Sequence, residues 1–296
     1  MGKNVIFNGS GVALVTPMNS DGKINYNKLD ELISFHINNK TDAIIIAGTT
    51  GESSTLNEEE QMELIKHTVD KVDRKIPVIA GTGSNCTAKA IKMGQQAKVS
   101  GANALLIVTP YYNKTSQKGL IKHYLAIAES VNIPIIVYNV PGRTGMGIAP
   151  QSYLELSKHP NIVATKEASG DISLIAESIS LCGDNLHVYS GNDDQTLAIL
   201  SLGGQGVISV LANIMPVEMH NICSLFFDGK LAESQKLQLD LIPIMNSLFK
   251  TVNPIPIKEA MNLIGMDVGN CRLPLISMDE SESNNLKQIL KHYNLC

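Results

Sequence analysis

A lysine follows a short segment that is predicted to form a buried strand. Residues 162–165 are apolar or favour strands, Lys166 comes next, and residues 168–171 have the composition of a turn and a helix cap. An amine held at the end of a buried strand loses its water, so its neutral form is favoured and the nitrogen becomes a nucleophile toward carbonyl carbons. The alternative is a lysine whose ammonium group extends into solvent. On this segment alone the solvated lysine is the more ordinary interpretation, and the rest of the chain has to decide.

Four other predicted strands also end in polar segments, three of which contain glycine. These segments are Gly48-Thr49-Thr50-Gly51-Glu52-Ser53, Thr109-Pro110-Tyr111-Tyr112-Asn113, Tyr138-Asn139-Val140-Pro141-Gly142-Arg143-Thr144-Gly145 and Ser190-Gly191-Asn192-Asp193-Asp194. In an α/β barrel the carboxyl ends of all strands meet at one mouth. Each segment alone has an ordinary interpretation as a turn, packed tyrosines or a solvated charge. Together on one rim they offer proton-relaying hydroxyls, an arginine for a carboxylate and backbone N–H groups for an anion, which packing explains poorly.

The acidic, histidine and serine residues do not indicate other chemistry. The paired Asp193 and Asp194 are predicted to cap a helix rather than to bind a metal. The seven histidines lie apart, and no spacing suggests zinc. Ser53 and Ser54 lack a nucleophile elbow and a nearby histidine. The sequence therefore predicts that no metal is bound.

The composition excludes several classes of protein. The chain has 296 residues, of which 44% are hydrophobic and 18% charged, and a formal net charge of −4, without the basic stripe of a nucleic-acid-binding protein. No apolar run approaches the roughly 18 residues of a membrane span. Five scattered cysteines without a C-x-x-C pair predict reduced thiols in a cytoplasm, and residues 1–8 lack the apolar core of a secretory signal.

Predicted strands and helices alternate along the first 210 residues. The strands are predicted at 11–15, 43–46, 77–80, 104–108, 133–138, 162–166, 187–190 and 206–210. The helix after the second strand opens with Asn57 and Glu60, spaced as in a capping box. Alternation of this kind predicts a parallel sheet with right-handed crossovers, and eight units favour a closed (β/α)8 TIM barrel over an open sheet.

The pattern after residue 210 is helical only. Helices are predicted at 215–228, 230–249, 257–263 and 280–293, and Asn253-Pro254-Ile255-Pro256 forms a rigid break between two of them. No linker rich in Gly, Pro or Ser divides the chain. We therefore expect an α/β chain whose residues 1–225 form the barrel and whose residues 226–296 form a C-terminal helical extension.

Several motifs together resemble the dihydrodipicolinate synthase family. The four polar segments above carry the resemblance, and Lys-Glu-Ala-Ser-Gly at 166–170, Gly-Gly-Gln-Gly-Val-Ile-Ser-Val at 203–210 and Asn-Pro-Ile-Pro-Ile-Lys at 253–258 extend it over nearly the whole chain. Members of this family are class I pyruvate aldolases. The resemblance implies condensation of pyruvate with L-aspartate 4-semialdehyde in the diaminopimelate route to lysine, with no metal and no organic cofactor.

The resemblance also implies roles for four catalytic residues. Lys166 would form a Schiff base with the pyruvate ketone, which acts as an electron sink. Tyr138, Thr49 and Tyr112 match the proton-relay triad of the family, in which Tyr138 is the general acid and base and Thr49 links it to Tyr112. In the family that last tyrosine reaches into the site of a neighbouring subunit. A homo-oligomer of at least two subunits is therefore expected, and the resemblance suggests a tetramer built from two dimers.

Substrate-binding roles follow from the same resemblance. Thr50 and the turn around it would hold the pyruvate carboxylate, and Arg143 would hold the carboxylate of the semialdehyde. Gly191 and Ile208 would line the pyruvate site through their backbone carbonyls.

One region departs from the family pattern. Lysine-sensitive members bind lysine at the dimer interface, at positions that correspond here to Ser53, Ser54, Glu58, Gln61, Asn85, Lys89 and Tyr111. Those members carry a glutamate at the position of Lys89. A cation there repels bound lysine, so we expect weak or absent inhibition, with Glu58 as a compensating acid.

Two alternatives remain open at this stage. One is another pyruvate-dependent aldolase, such as N-acetylneuraminate lyase or a 2-keto-3-deoxy sugar-acid aldolase. The other is a non-catalytic barrel that senses a small carboxylate. Arg143 in its Gly-Arg-Thr-Gly loop and the Thr49-Thr50 pair favour the synthase, and the lysine together with the tyrosine relay argues against a sensor.

Overall fold

Eight parallel strands form a closed barrel in the computed structural model, which describes residues 2–296. The strands are β1 (Gly9–Ala13), β2 (Ala43–Ile46), β3 (Val78–Gly81), β4 (Ala104–Val108), β5 (Ile135–Asn139), β6 (Ile162–Glu167), β7 (His187–Ser190) and β8 (Gly206–Ser209). Each strand pairs with the next in sequence, and β8 pairs with β1 to close the barrel. The predicted (β/α)8 TIM barrel is confirmed.

Helices surround the barrel and continue after its last strand. The helices that precede β8 are α1 (Tyr26–Asn38), α2 (Glu58–Val72), α3 (Thr87–Val99), α4 (Gln117–Val131), α5 (Pro141–Thr144), α6 (Pro150–Ser157), α7 (Ile172–Cys182) and α8 (Thr196–Ser201). Those that follow it are α9 (Pro216–Phe227), α10 (Leu231–Ser247), α11 (Ile255–Leu263) and α12 (Glu280–His292). Short 3-10 helices lie at Ser53–Thr55, Gly183–Asn185, Asp193–Gln195 and Leu211–Asn213.

Local sequence signals set where α2 begins. Asn57 Oδ1 accepts a hydrogen bond of 2.9 Å from the Glu60 backbone N–H, and Glu60 Oε2 accepts one of 3.0 Å from the Asn57 N–H. Two of the four N–H groups that lack a partner at the helix start are therefore bonded, as the capping-box spacing predicts. The helix starts directly behind the loop that follows β2, so the cap also fixes where that loop ends.

Two apolar layers hold the barrel together. One layer lies between the strands and the surrounding helices, and the other fills the barrel interior with side chains such as Ile45, Leu106 and Ile136. Phe7 precedes β1 and stacks on Tyr189 of β7, with ring centroids 4.4 Å apart. The strands are buried on both faces, as expected for a parallel sheet, so a polar side chain inside the barrel is an exception that needs a reason.

The first strand begins earlier than the apolar pattern predicts. β1 starts at Gly9 rather than at residue 11, because Gly9 pairs with Gly206 of β8. A Cβ at Gly206 would lie 1.9 Å from the Gly9 carbonyl oxygen, so only glycine allows the two backbones to approach this closely. Hydrophobic periodicity carries no information about such a pairing.

The C-terminal helices pack on the barrel and on one another. Helix α9 packs against β1, α10 packs against α9 and the 3-10 helix at Asp193–Gln195, and α12 packs against α10 and α11. The extension therefore lies close to the loops that follow β7 and β8. Within residues 2–296, none of the helices has the length and apolarity that crossing a membrane would require.

Candidate active site

The end of β6 presents two charged residues to opposite faces of the sheet. Neighbouring side chains in a strand alternate, so Lys166 faces the barrel interior and Glu167 faces the helices. The Glu167 carboxylate accepts hydrogen bonds from Asn139 Nδ2 at 2.9 Å, from the Tyr153 hydroxyl at 2.6 Å and from the Ser169 N–H at 2.9 Å. These bonds anchor the strand end and fix the backbone that carries Lys166.

Lys166 is a buried amine with a lowered pKa. Its side chain is 5% exposed, and Nζ lies 4.5 Å from the centroid of the Tyr138 ring. Burial lowers the pKa of Lys166 from 10.5 to about 8; the carboxylate of Asp193 acts to raise it and the guanidinium of Arg143 acts to lower it. A much larger share of the amine is therefore neutral at physiological pH than for a lysine in water.

Gly191 leaves the space that the lysine occupies. A Cβ at this position would lie 3.1 Å from Lys166 Cε and 2.7 Å from the Ala168 Cβ. Any larger residue at the end of β7 would displace the lysine side chain. The glycine predicted to line the site thus has a steric reason to be there.

A cavity of about 200 Å³ contains the lysine at the carboxyl ends of the strands. The predicted residues that line it are Thr49, Thr50, Tyr138, Arg143, Lys166 and Gly191. Apolar side chains of Ile45, Leu106 and Val210 complete the wall. The space is small, and polar and apolar groups line it in similar measure, which suits a short carboxylate ligand.

Tyr138 is a protonated phenol beside the amine. Burial raises the pKa of Tyr138, while the Arg143 guanidinium and a hydrogen bond with the Thr49 side chain act to lower it. The phenol therefore carries its proton at neutral pH and has a hydroxyl partner in Thr49. A group of this kind donates a proton to a reacting oxygen and recovers it later.

The cavity mouth is joined to the C-terminal extension by Asn253. Its Nδ2 donates a hydrogen bond of 3.0 Å to Thr50 Oγ1, and its backbone carbonyl accepts one of 3.1 Å from an Arg143 guanidinium nitrogen. Asn253 also lines the cavity, as do Asn192 and Phe249. Sequence reasoning missed these three residues. The available signals were the polar segment that contains Asn192 and the Asn-Pro-Ile-Pro motif that contains Asn253, and neither assigned a role to these side chains.

Two predicted residues lie outside this cavity. Tyr112 is 92% exposed and has a φ of +67°, an uncommon backbone conformation for a tyrosine. Its loop is held by bonds from Asn85 Nδ2 to the Tyr111 carbonyl at 3.2 Å and from Asn113 Nδ2 to the Asn85 carbonyl at 3.0 Å. Ile208 is fully buried in β8, where it pairs with Gly11.

The prediction that Asp193 caps a helix was wrong. Asp193 lies within the 3-10 helix at Asp193–Gln195, and its buried Oδ2 accepts hydrogen bonds from the Val210 N–H at 3.1 Å and the Leu211 N–H at 2.9 Å. It thus ties the loop after β7 to the end of β8. Its partners are more than a dozen residues away, so local sequence could not reveal them. Asp194 is exposed.

The predicted lysine-effector residues lie in the loops after β2, β3 and β4 and in helices α2 and α3. Lys89 Nζ lies 3.4 Å from Glu58 Oε1, and Lys92 Nζ lies 2.8 Å from Glu58 Oε2. Gln61 is buried, and its Nε2 donates a hydrogen bond of 2.7 Å to the Gly81 carbonyl. Ser53 and Ser54 lie in the 3-10 helix at Ser53–Thr55. Glu58 is therefore already paired with two cations, while Asn85 and Gln61 hold the backbone.

No group of His, Cys, Asp and Glu in the described part of the chain is arranged to hold a metal ion. The polar groups that line the cavity are an amine, hydroxyls, a guanidinium and amides. These groups bind carboxylates and transfer protons. They are poor ligands for a hard or borderline metal ion.

The fold and the cavity together define a class of protein: a barrel lyase of the class I aldolase type, in which a buried lysine forms a Schiff base with a keto substrate. Residues 6–293 match the family model described as the Dihydrodipicolinate synthetase family. The chain belongs to this family.

Individual relatives agree with this assignment. A 4-hydroxy-tetrahydrodipicolinate synthase of Clostridium novyi (strain NT) is 56% identical over 289 residues, which cover 98% of this chain and 97% of the relative. A crystal structure of a dihydrodipicolinate synthase from Acinetobacter baumannii, complexed with pyruvate, is 41% identical with a TM-score of 0.96 and covers 99% of this chain and 100% of its own. The enzyme of Cyanidioschyzon merolae, solved with lysine bound, is 37% identical with a TM-score of 0.96 and the same coverage.

Proposed function

We propose that Lys166 carries out the condensation of pyruvate with L-aspartate 4-semialdehyde. The chain has 4-hydroxy-tetrahydrodipicolinate synthase activity and works as a lyase of the class I aldolase type. The observation that supports Lys166 as the reacting group is its burial, with a pKa of about 8, in one cavity with the Thr49-Thr50 turn and Tyr138. The relatives at this identity carry the name of the synthase, which disfavours the sugar-acid aldolase and sensor alternatives.

The first covalent step forms an imine. The neutral amine of Lys166 attacks the ketone carbon of pyruvate, and the ketone oxygen leaves as water after it has received protons. Tyr138 would supply and recover a proton at this oxygen, with Thr49 as its hydroxyl partner. Tyr138, a phenolate once it has protonated the leaving oxygen, would then take up a proton from the methyl group, which converts the imine to an enamine. The imine nitrogen takes up the electron pair, so no metal and no organic cofactor is needed for this step.

The second bond forms between the enamine carbon and the aldehyde. The enamine attacks the semialdehyde carbonyl carbon, whose oxygen is protonated as it becomes an alcohol. Tyr112 of a second copy would complete the relay through Thr49. The 92% exposure of this tyrosine supports the idea, because an aromatic ring held fully outward on an anchored loop is suited to contact another chain.

Carboxylate binding orients both substrates. Thr50 and the surrounding turn would hold the carboxylate of pyruvate, with Gly191 lining the same cavity. Arg143 lies at the cavity mouth and would hold the semialdehyde carboxylate, since a guanidinium offers several donors in one plane.

The assembly and the location are also proposals. We propose a tetramer made of two dimers, in which each dimer exchanges Tyr112 between its two sites, and a cytoplasmic location. The barrel, residues 1–225, and the extension, residues 226–296, would act as one catalytic unit, because Asn253 of the extension lines the cavity that contains Lys166.

Trapping of the imine tests the proposal. Borohydride reduction in the presence of pyruvate should attach a pyruvyl group to Lys166, which peptide mass spectrometry locates. Lys166→Ala should give no adduct, whereas Lys230→Ala, a change at an exposed lysine outside the cavity, should give as much as the unchanged protein. An adduct on another lysine, or none on an active preparation, would remove Lys166 from the mechanism.

A further inference from the structure

Asn253 of the C-terminal extension forms hydrogen bonds with both groups proposed to bind carboxylates. It is 5% exposed, lies between α10 and α11, and lines the cavity that holds Lys166. Its amide side chain contacts Thr50, and its backbone carbonyl contacts Arg143. Neither of these contacts is part of the proposed proton relay.

The hydrogen bond between Asn253 and Thr50 has a defined donor and acceptor. An amide NH2 group only donates hydrogen bonds, so Thr50 Oγ1 is the acceptor of the 3.0 Å bond from Asn253 Nδ2. A hydroxyl that has accepted this bond still has its own proton to donate. In the hydrogen-bonding pattern of residues 2–296, Thr50 Oγ1 donates to no protein group, so its proton remains available for the cavity.

The contact with Arg143 limits the motion of the guanidinium. The Asn253 carbonyl takes one N–H of an Arg143 terminal nitrogen at 3.1 Å. A guanidinium has five N–H donors, so the remaining ones can still bind a carboxylate. Arg143 lies in the short helix α5 at an otherwise exposed position, and this bond ties its side chain to the wall of the cavity.

We propose that Asn253 is a positioning residue that directs the hydroxyl proton of Thr50 toward the pyruvate carboxylate and holds the Arg143 side chain at the cavity mouth. The inference rests on the proposed function, since it assumes that Thr50 binds pyruvate. Asn253 itself does not bond to the reacting atoms in this scheme. Its Oδ1 is buried without a hydrogen-bond partner, an unfavourable arrangement that a purely structural asparagine would have no reason to keep.

The experiment measures the pyruvate concentration that gives half-maximal borohydride trapping on Lys166, without the second substrate. Asn253→Ala should raise this concentration about five- to tenfold, the effect of one lost hydrogen bond between neutral groups. The KM for the semialdehyde should change much less, because the backbone carbonyl that holds Arg143 is kept. Thr50→Val should raise the half-maximal pyruvate concentration to a similar extent. The double variant Asn253→Ala with Thr50→Val should need no more pyruvate than Thr50→Val alone.

A second variant and a matched control keep the result interpretable. Asn253→Asp keeps the shape of the side chain, but its carboxylate only accepts hydrogen bonds, so it should draw the Thr50 hydroxyl proton away from the cavity. It should therefore weaken pyruvate trapping more in a protein that keeps Thr50 than in one that carries Thr50→Val. Asn262→Ala removes an asparagine of α11 whose side chain bonds the Gly269 carbonyl at 3.2 Å and the Val268 N–H at 2.8 Å, away from the cavity. It should leave pyruvate trapping unchanged.

Each other outcome overturns a defined part of the argument. If Asn253→Ala behaves like Asn262→Ala while Thr50→Val weakens trapping, the positioning role is wrong and the role of Thr50 stands. If the effects of Asn253→Ala and Thr50→Val add in the double variant, Asn253 does not act through Thr50. If Thr50→Val leaves trapping unchanged, the proposed pyruvate site and this inference both fail.

Discussion

Lys258 Nζ lies 2.8 Å from Glu52 Oε1, and both side chains are almost completely buried. Lys258 belongs to α11, and Glu52 lies in the loop after β2, two residues beyond Thr50. Lys258 also donates 2.8 Å to the Asn270 carbonyl, and Glu52 Oε2 accepts 2.8 Å from the Arg272 N–H. The extension therefore holds the proposed carboxylate-binding loop by an ion pair as well as by Asn253.

Loss of one partner from this pair should be strongly destabilising. Lys258→Met leaves the Glu52 carboxylate buried without its counter-charge, which typically costs about 3–5 kcal/mol. Urea denaturation should show this as a large fall in the free energy of unfolding. Lys236→Met is the control, because its ion pair with Asp240 is exposed and should contribute less than about 1 kcal/mol. Equal effects of the two changes on the free energy of unfolding would mean that the buried pair contributes no more to stability than the exposed pair.

The rate of adduct formation should depend on pH through the amine of Lys166. Only the neutral amine attacks a ketone, and the pKa of Lys166 is lowered by burial from 10.5 to about 8. The initial rate of trapping should therefore rise as pH increases through about 8 and level off above it. A midpoint near 10.5 would show that the amine is hydrated and would contradict the burial argument.

The charged neighbours of Lys166 predict the sign of two shifts in that midpoint. The carboxylate of Asp193 stabilises the ammonium form and the guanidinium of Arg143 destabilises it. Asp193→Asn should therefore move the midpoint to lower pH, and Arg143→Gln should move it to higher pH. Comparison of the variants at each pH removes the pH dependence of the reductant itself.

The sequence predicted most of the barrel, because the signals for its elements are local. A short apolar run marks β6 and places Lys166 at its end, and the Asn57 and Glu60 pair marks the start of α2. These features depend on residues within a few positions of one another. The motifs also supplied the residues that the cavity brings together around Lys166.

Contacts between distant segments could not be predicted in the same way. Asn253 meets Thr50 across 203 positions, and Glu52 meets Lys258 across 206. No periodicity or cap relates residues so far apart, and a buried ion pair appears in the sequence as two ordinary charges. The role of Asp193 was misassigned for the same reason, since a cap was the only local explanation for an acid before a helix.

Arg143 should affect one substrate far more than the other. Arg143→Ala removes the donors proposed for the semialdehyde carboxylate, so kcat/KM for the semialdehyde should fall about 10- to 100-fold. Pyruvate trapping, measured above pH 8 to exclude the effect on the Lys166 amine, should change little. Steady-state kinetics with each substrate varied in turn provides the comparison. An equal loss for both substrates would show that the assignment of Arg143 to the semialdehyde carboxylate is wrong.

Inhibition by lysine should be weak or absent. Lys89 lies 3.4 Å from Glu58, which already pairs with Lys92 at 2.8 Å, and hydrogen bonding to Lys92 lowers the pKa of Glu58, so this carboxylate stays ionised and occupied. A bound lysine would meet a cation and find its acidic partner engaged. Activity assays over a lysine series test this, and half-inhibition at sub-millimolar lysine would contradict it.

A charge reversal at Lys89 tests the same prediction in the opposite direction. Lys89→Glu should increase the sensitivity to lysine, since it places a second acid beside Glu58. Lys66→Glu, the same change on α2 outside the seven effector positions, should leave it unaltered. If the two variants respond alike, the effect is one of net charge and not of a binding site.

Exchange of Tyr112 between subunits can be tested by mixing two impaired chains. Lys166→Ala has no nucleophile, and Tyr112→Phe should lose most of its activity because the relay lacks its last hydroxyl. In a mixed dimer, the site with Lys166 belongs to the Tyr112→Phe chain and receives an intact Tyr112 from its partner. Co-expression of the two variants should therefore restore activity to a level above that of either alone. Lys166→Ala with Tyr138→Phe is the control, because Lys166 and Tyr138 line the same cavity of one chain and mixing cannot unite them. Failure of the first pair to recover, in dimers shown to contain both chains, would mean that Tyr112 does not act in the neighbouring site.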